Sequence, residues 1–400
     1  MRRFVGLAAI VAALTIFLLQ NAEQIYFENG LSSAVPSGAG VPAQDPRSAT
    51  GYQWGQRSQS VSLDGSHWVM QTQRMLADGD WRVRSVDYDN FPHGREVHWS
   101  SSLHWWLGGL SWLWSSVSGC SAGVAVEQVA LYANPLAFLL FFALLVPLVW
   151  RRFGPVASGA LALGLVTVTP FRELYGFVDP DHHGLVAACC LCSVLFLVIG
   201  GAGWVKAVAV ASPGAMPLPV FDSSKRWFIA AGFAGGAGLW ISSATQVPVL
   251  IGTGLAALVA NGWLARKVPR TAPWRIAPEL WRVWGVAGAV ASLGFYLLEY
   301  FPSHLGLRLE VNHPLYALAW LGGGDLLCRL VRSLAGNDFA KPGRDRLVAL
   351  AGVTGFLSLP AVILLTKERT FWVADPFVWA LHTDYIKEFS SLFRRLGEIE

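Results

Sequence analysis

Long apolar stretches alternate with short polar connections over most of this chain. A run of roughly 20 mainly apolar residues is long enough to cross a bilayer as a helix. The pattern predicts nine membrane-spanning helices, at residues 4–19, 129–149, 154–171, 184–202, 227–241, 244–264, 284–300, 314–331 and 347–366. We therefore predict an all-α polytopic membrane protein.

The first apolar run follows a basic start, Met1-Arg2-Arg3, and extends from Phe4 to Leu19. A basic start and a short apolar run are also features of a signal peptide. Gln20-Asn21-Ala22-Glu23 is a poor cleavage site, however. We predict that residues 1–20 form an uncleaved transmembrane helix with its N-terminus in the cytoplasm.

The longest polar segment, residues 21–127, is predicted to be a large first outer loop. Residues 31–60 are rich in Ser, Gly, Pro and Gln, which is typical of a flexible lead-in. Helical spacing then follows over 62–77, with Trp68, Val69, Met75 and Leu76 on one face. A group of tryptophans further on predicts a second amphipathic helix at the lipid headgroups: Trp105, Trp106, Trp112 and Trp114.

Asp64 stands at the start of the first amphipathic helix. Its simplest interpretation is a helix cap, because a side-chain oxygen there accepts an otherwise unpaired backbone N–H. The polar residues Gln71, Gln73 and Arg74 fall between the apolar positions of that helix.

Charged residues are distributed unevenly between alternate connections. With the N-terminus inside, every cytoplasmic connection is basic, as membrane topology requires: Arg151, Arg152, Lys206, Lys225, Arg226, Arg266, Lys267, Arg270, Arg275, Arg282, Arg329, Arg332, Lys341, Arg344 and Arg346. All nine histidines then lie outside: His67, His93, His98, His104, His182, His183, His304, His313 and His382. The predicted regions are helix 1–20, outer loop 21–127, bundle 128–366 and outer loop 367–400, in a cytoplasmic (inner) membrane.

Composition supports this class of protein. Only 14% of the 400 residues are charged, against about 25% in soluble proteins. The net charge of +4 is too small to indicate a nucleic acid partner. The five cysteines show no paired metal-ligand spacing and no disulfide framework, so we interpret them as packing residues.

The connection Gly176-Phe-Val-Asp-Pro-Asp-His-His-Gly-Leu185 holds the densest set of metal-ligand side chains. Asp179, Asp181, His182 and His183 lie within five residues, and mixed oxygen and nitrogen ligands suit Mg²⁺, Mn²⁺ or Zn²⁺. The alternative is a solvated loop that turns at Pro180. The predicted topology places this loop on the same face as Asp64 and the C-terminal Asp384-Tyr-Ile-Lys-Glu388.

These segments resemble motifs of the GT-C membrane glycosyltransferases, in particular the catalytic subunit of oligosaccharyltransferase and its bacterial and archaeal relatives. Asp64 to Arg74, followed by Tyr88-Asp-Asn-Phe-Pro-His-Gly94, is similar to the family's first outer loop. Gly176-Phe-Val-Asp179-Pro-Asp181 resembles its G-x-x-D-x-[D/N/H] motif, and Asp181-His182-His183 is similar to the D-x-H form. Both registers stay open. Tyr385-Ile-Lys-Glu388 resembles the T-I-x-E motif, with Tyr in place of Thr.

The resemblance implies a GT-C-like bundle and a metal-dependent transferase acting at the outer membrane face. A sugar or oligosaccharide would pass from a polyprenyl-(pyro)phosphate donor in the bilayer to an acceptor protein or glycan. The implied catalytic residues are Asp64, Asp179, Asp181 and Glu388, and the implied ligands of Mn²⁺ or Mg²⁺ are Asp64, Asp179, Asp181, His183 and Glu388. Arg74, His93 and Arg95 are candidates for donor phosphate binding, with ordinary interfacial pairing as their alternative.

The family carries further helices and a soluble domain with a W-W-D-Y-G motif, which this sequence lacks. We expect either a fragment or a shortened relative that needs a partner subunit in place of that C-terminal region. The nearest alternative function is a GT-C enzyme that uses a monophosphate-linked monosaccharide to modify a lipid or glycan, without Glu388 as a ligand. A transporter or metal carrier is less favoured, because transporters place ionisable residues near the bilayer midplane, where Asp325 is the exception here. A noncatalytic scaffold would leave the three acidic motifs unexplained.

Overall fold

The protein is described from a computed structural model that covers residues 1–34, 63–88, 90–177, 179–206, 218–267, 273–302, 305–336 and 344–366. Within these residues there are twelve helices: α1 Arg2–Ala34, α2 Leu63–Asp78, α3 Ser102–Ser118, α4 Ala122–Phe153, α5 Pro155–Thr167, α6 Thr169–Glu173, α7 His183–Ile199, α8 Phe221–Ile241, α9 Ser243–Lys267, α10 Glu279–Glu299, α11 Pro314–Leu334 and α12 Arg344–Thr366. The described residues also contain two antiparallel pairs of short strands. In these pairs β1 Ser85–Val86 lies beside β2 Arg95–Glu96, and β3 Trp204–Lys206 lies beside β4 Trp274–Ile276.

Eight of the nine predicted spans each overlap one helix and the ninth overlaps two, and the prediction of an all-α polytopic membrane protein is confirmed. Among the described residues, five helices are long and apolar enough to cross a bilayer: α1, α4, α9, α10 and α12. The predicted span 154–171 is divided into α5 and α6, because Pro170 has no N–H with which to continue the hydrogen-bond ladder of α5. Helix α1 continues to Ala34, past its apolar run.

The chain divides into two compact units. The first comprises Met1–Arg84 and Ser101–Ala188, and the second comprises Ser85–Ser100 and Cys189–Glu400. In the first unit, α2 and α3 pack on α4, and α1 packs on α5. The α1–α5 contact is close, since a Cβ added at Gly159 would lie 2.8 Å from the Cβ of Ala9.

Helices α8, α10 and α11 form the centre of the second unit. Small residues allow their backbones to approach, which is a common way for membrane helices to associate. A Cβ added at Gly285 would lie 2.8 Å from the Cα of Gly324, and one at Gly232 would lie 2.7 Å from the backbone nitrogen of Gly288. The ring of Trp320 lies over Gly288 and packs edge-on against Trp284.

An ion network fixes the segment between α10 and α11 to the β1–β2 pair within the same unit. Arg308 donates hydrogen bonds to Glu310 Oε1 at 2.6 Å and to Glu96 Oε1 at 2.8 Å. The Arg308 side chain is only 14% exposed and that of Glu310 only 10%. Burial of this kind requires the charges to be paired.

Candidate functional site

The connection between α6 and α7 is held in shape by three hydrogen bonds inside the first unit. Tyr175 donates its hydroxyl to the carbonyl of Gly184 at 2.6 Å. The backbone nitrogen of Phe177 donates to Oε1 of Gln24 at 3.0 Å. Asn134, a buried residue of α4, donates its amide to the carbonyl of Asp179 at 2.7 Å. These bonds set the backbone from which the next residues project.

Asp181 holds both neighbouring imidazoles through its two carboxylate oxygens. Oδ1 accepts from the backbone nitrogen of His182 at 2.6 Å and lies 2.7 Å from His182 Nδ1. Oδ2 is hydrogen-bonded to Nδ1 of His183. The two rings stack with their centroids 4.5 Å apart. Because each ring turns Nδ1 toward the carboxylate, the hydrogen bond fixes the orientation of the ring, as a hydrogen-bonded carboxylate does for many metal-binding histidines.

Asp181 is ionised in this setting. Burial by itself would raise the pKa of this carboxyl, but hydrogen bonds from His182 and His183, and the attraction of their charges, hold the pKa of Asp181 well below its usual range. One ligand atom from each of Asp181, His182 and His183 lies within 4.8 Å of the others, and these three form the metal-capable cluster found among the described residues. An oxygen and two imidazole nitrogens fit a divalent cation, because both ligand types bind such ions in proteins.

Buried side chains of α2 and α3 form a layer next to the His pair. The ring of Trp68 lies between His182, at a centroid distance of 5.3 Å, and His104, at 4.7 Å. His104 Nε2 is 3.0 Å from Gln71 Oε1, and both side chains are buried. Burial, aided by the nearby His182, lowers the pKa of His104 to about 3, so that imidazole is neutral.

The sequence pattern predicts Gln71 at a polar position of its helix and indicates no role for His104. Gln71 is instead fully buried. A signal for this was present, because Gln71 stands three residues after Trp68 and four before Met75, on the same helical face. Of the four residues predicted to share one face of this helix, Trp68, Val69 and Met75 are buried and Leu76 is half-buried.

The other predicted ligands of the first unit, Asp64 and Asp179, are not members of this cluster. Asp64 is exposed in the first turn of α2, one turn before Trp68 and on the same face. Asp179 is also exposed, and its backbone carbonyl is the atom held by Asn134. Arg74 forms a 3.5 Å ion pair with Asp78 of its own helix. The three-residue cluster follows the Asp181-His182-His183 register, while roles for Asp64 and Asp179 stay predictions.

The remaining predicted residues fall in the second unit or outside the described residues. His93 is exposed in the turn before β2. Arg95, in β2, is buried and places its guanidinium 5.3 Å from the ring centre of Trp99. Glu388 lies outside the described residues, so its predicted place in a metal site stays a prediction.

No known family profile matches this chain, and no curated protein is similar to it in sequence. The fold, in contrast, is similar to the crystal structure of the Archaeoglobus fulgidus oligosaccharyltransferase in its apo form, with a TM-score of 0.54 and 14% identity. The match covers 95% of this chain and 39% of that protein, so this chain spans about two fifths of the length of the solved structure. At this identity the similarity establishes the fold alone: the chain is an all-α, multi-pass membrane protein whose fold is similar to that of the solved oligosaccharyltransferase.

Proposed function

We propose that this chain is a membrane glycosyltransferase, which transfers a sugar or oligosaccharide from a polyprenyl-(pyro)phosphate donor to an acceptor at the outer membrane face. The observation that carries the proposal is the Asp181-His182-His183 cluster, held next to α2 in a fold similar to an oligosaccharyltransferase. The acceptor is a protein or glycan, and a partner subunit is proposed to take part in binding it.

Asp181, His182 and His183 would hold a divalent cation, Mn²⁺ or Mg²⁺, with Asp64, Asp179 and Glu388 as the further ligands expected from the sequence. When bound, such a cation stabilises negative charge on a leaving phosphate. Asp181 orients both imidazoles through their Nδ1 atoms. Trp68 and the neutral His104 exclude water from the rear of the His pair.

Groups outside the cluster would bind the substrates. Arg74 is exposed on the helix that carries Asp64, so its guanidinium can reach a donor phosphate by leaving its weak pair with Asp78. His93 is exposed as well and stays a candidate for phosphate binding expected from the sequence. Arg95 is buried over Trp99, and we propose that it positions the turn containing His93. Exposed carboxylates such as Asp64 or Asp179 can accept a proton from an acceptor group.

The first test is calorimetric titration of Mn²⁺ and Mg²⁺ into the full chain in detergent. Asp181→Asn and His183→Gln should each weaken Mn²⁺ binding by about 10- to 100-fold or abolish it, because they remove a ligand or the group that orients one. Asp78→Asn is the matched control, since Asp78 is an exposed acid of α2 outside the cluster. Binding that survives both cluster substitutions would refute a metal site at this loop.

A second titration addresses the C-terminal motif. Glu388→Gln should weaken Mn²⁺ binding if Glu388 completes the site, whereas an enzyme using monophosphate-linked monosaccharides would bind the metal without it. Transfer from a fluorescent polyprenyl-pyrophosphate-linked sugar to a peptide or glycan acceptor then tests the activity. The enzyme proposal fails if the wild-type protein binds metal and yet transfers sugar to no acceptor class.

A further inference from the structure

An apolar groove of about 950 Å³ runs between α8 and α10 in the second unit. Its volume is within the range of small-molecule sites, roughly 300–1,000 Å³. Ile229 and Phe233 of α8 form one wall, and Val286 and Val290 of α10 form the other. Their side chains are open to the outside, with 44% of Ile229 and 43% of Val286 exposed.

Both α8 and α10 line the groove over a length close to the thickness of one bilayer leaflet. Its α8 wall extends from Lys225 to Phe233, a rise of about 12 Å at 1.5 Å per residue. Half of a hydrocarbon core is about 15 Å thick. At the end away from Lys225, Phe233 packs against Phe295 of α10, with ring centroids 5.6 Å apart. The part of the groove that both helices line is therefore about as long as the depth to which one lipid acyl chain extends into the bilayer.

Positive charge is concentrated at the Lys225 end of the groove. Among the described residues Lys225 has no ion-pair partner, and it is exposed. Arg282 donates Nε to Asp325 at 2.7 Å, but the same carboxylate also accepts from Arg329 at 2.6 Å. The Asp325 carboxylate is thus shared by Arg282 and Arg329.

The acidic lining residue at that end does not cancel this charge. Glu279 lines the groove and lies 3.4 Å from Arg332, a cation in the same region. The charged residues that line the groove are Lys225, Arg282 and Glu279, so its lining carries one net positive charge. Arg282 uses two of its five N–H groups on Asp325 and is 43% exposed, so further donors are available to an anion.

We infer that this groove binds a phospholipid with an anionic headgroup. The acyl chain lies between Ile229 and Val286, and the phosphate binds Lys225 and Arg282. In the topology predicted from the sequence, this end faces the cytoplasm, where anionic lipids attract basic residues close to the membrane. The site is separate from the Asp181 cluster in residues and in chemistry, so it does not depend on the proposed enzyme activity.

Native mass spectrometry of the detergent-solubilised full chain tests the inference. The protein would be incubated with phosphatidylglycerol or with phosphatidylcholine, and the bound lipid would be counted as collision energy rises. Wild type should retain phosphatidylglycerol at least fivefold better than phosphatidylcholine. Lys225→Gln should weaken retention of phosphatidylglycerol about fivefold, the effect of one cation near an anionic surface. Val286→Trp should reduce retention of both lipids, because the indole fills the groove.

Two matched controls distinguish this site from nonspecific lipid contact. Arg226→Gln removes a positive charge from the same turn of α8, at a residue that does not line the groove. Val348→Trp adds an indole at a position of similar exposure on α12, 46% against 43%, also outside the groove. Equal retention of the two lipids by wild type would overturn the inference. The inference would also be overturned if Lys225→Gln had the same effect on lipid retention as Arg226→Gln, or Val286→Trp the same effect as Val348→Trp. Thermal unfolding of all four variants would confirm that they are folded.

Discussion

The buried His104 makes a specific prediction about stability and pH. Its pKa of about 3 in the folded protein is below the ordinary histidine value of 6.5. Between those values the unfolded chain binds a proton that the folded chain does not, so the folded state loses stability as pH falls. The contribution of neutral His104 to the free energy of unfolding is fully present above about pH 6.5 and declines below it. One proton is worth about 1.4 kcal/mol per pH unit, which amounts to roughly 2 kcal/mol between pH 7.5 and pH 5.

The test replaces His104 with Gln, which retains an N–H donor for Gln71 but does not titrate. Apparent melting temperatures of both proteins would be measured in detergent at several pH values and one scan rate. The wild type should lose about 4–8 °C more than His104→Gln between pH 7.5 and 5, at 2–4 °C per kcal/mol for a unit of this size. His93→Gln, a substitution at an exposed histidine, is the control. Equal losses in wild type and His104→Gln would refute the reasoning.

Two further predictions concern packing and buried charge. Gly288→Ala should lower the stability of the second unit by about 1–3 kcal/mol, because its Cβ overlaps the ring of Trp320. Gly294→Ala on the same helix meets open space and should be neutral or slightly stabilising, and equal melting temperatures for the two would contradict the packing argument. Arg308→Met should cost about 3 kcal/mol by leaving two carboxylates without their shared partner. Arg74→Met, at an exposed pair, should cost under about 0.5 kcal/mol in the same unfolding assay.

Much of the fold could be predicted because a bilayer imposes a simple rule on sequence. Long apolar runs without charges have to become helices, so the spans were evident from the pattern alone. Boundaries were less predictable. Helix α1 extends past its apolar run into polar residues that carry no hydrophobic signal, and the break between α5 and α6 depends on one proline.

The candidate site was predictable in composition and less so in arrangement. The sequence brings Asp181, His182 and His183 together by adjacency, and the structure adds that one carboxylate orients both rings. The layer behind them was missed, because a glutamine and a histidine 33 positions apart share no local pattern. Their pairing depends on how α2 packs against α3, which is a tertiary property.

The hydrogen bond from Asn134 to the loop bears on how this family of sequences can vary. Asn134 holds the main-chain carbonyl of Asp179, an atom that every amino acid possesses. This hydrogen bond therefore places no demand on the side chain at position 179, whereas it requires an amide donor at position 134. Asp181 acts through its side chain and has no such freedom. A comparison of relatives should show Asn134 and Asp181 retained together, and an acid at 179 that persists beside them would indicate selection for its carboxylate.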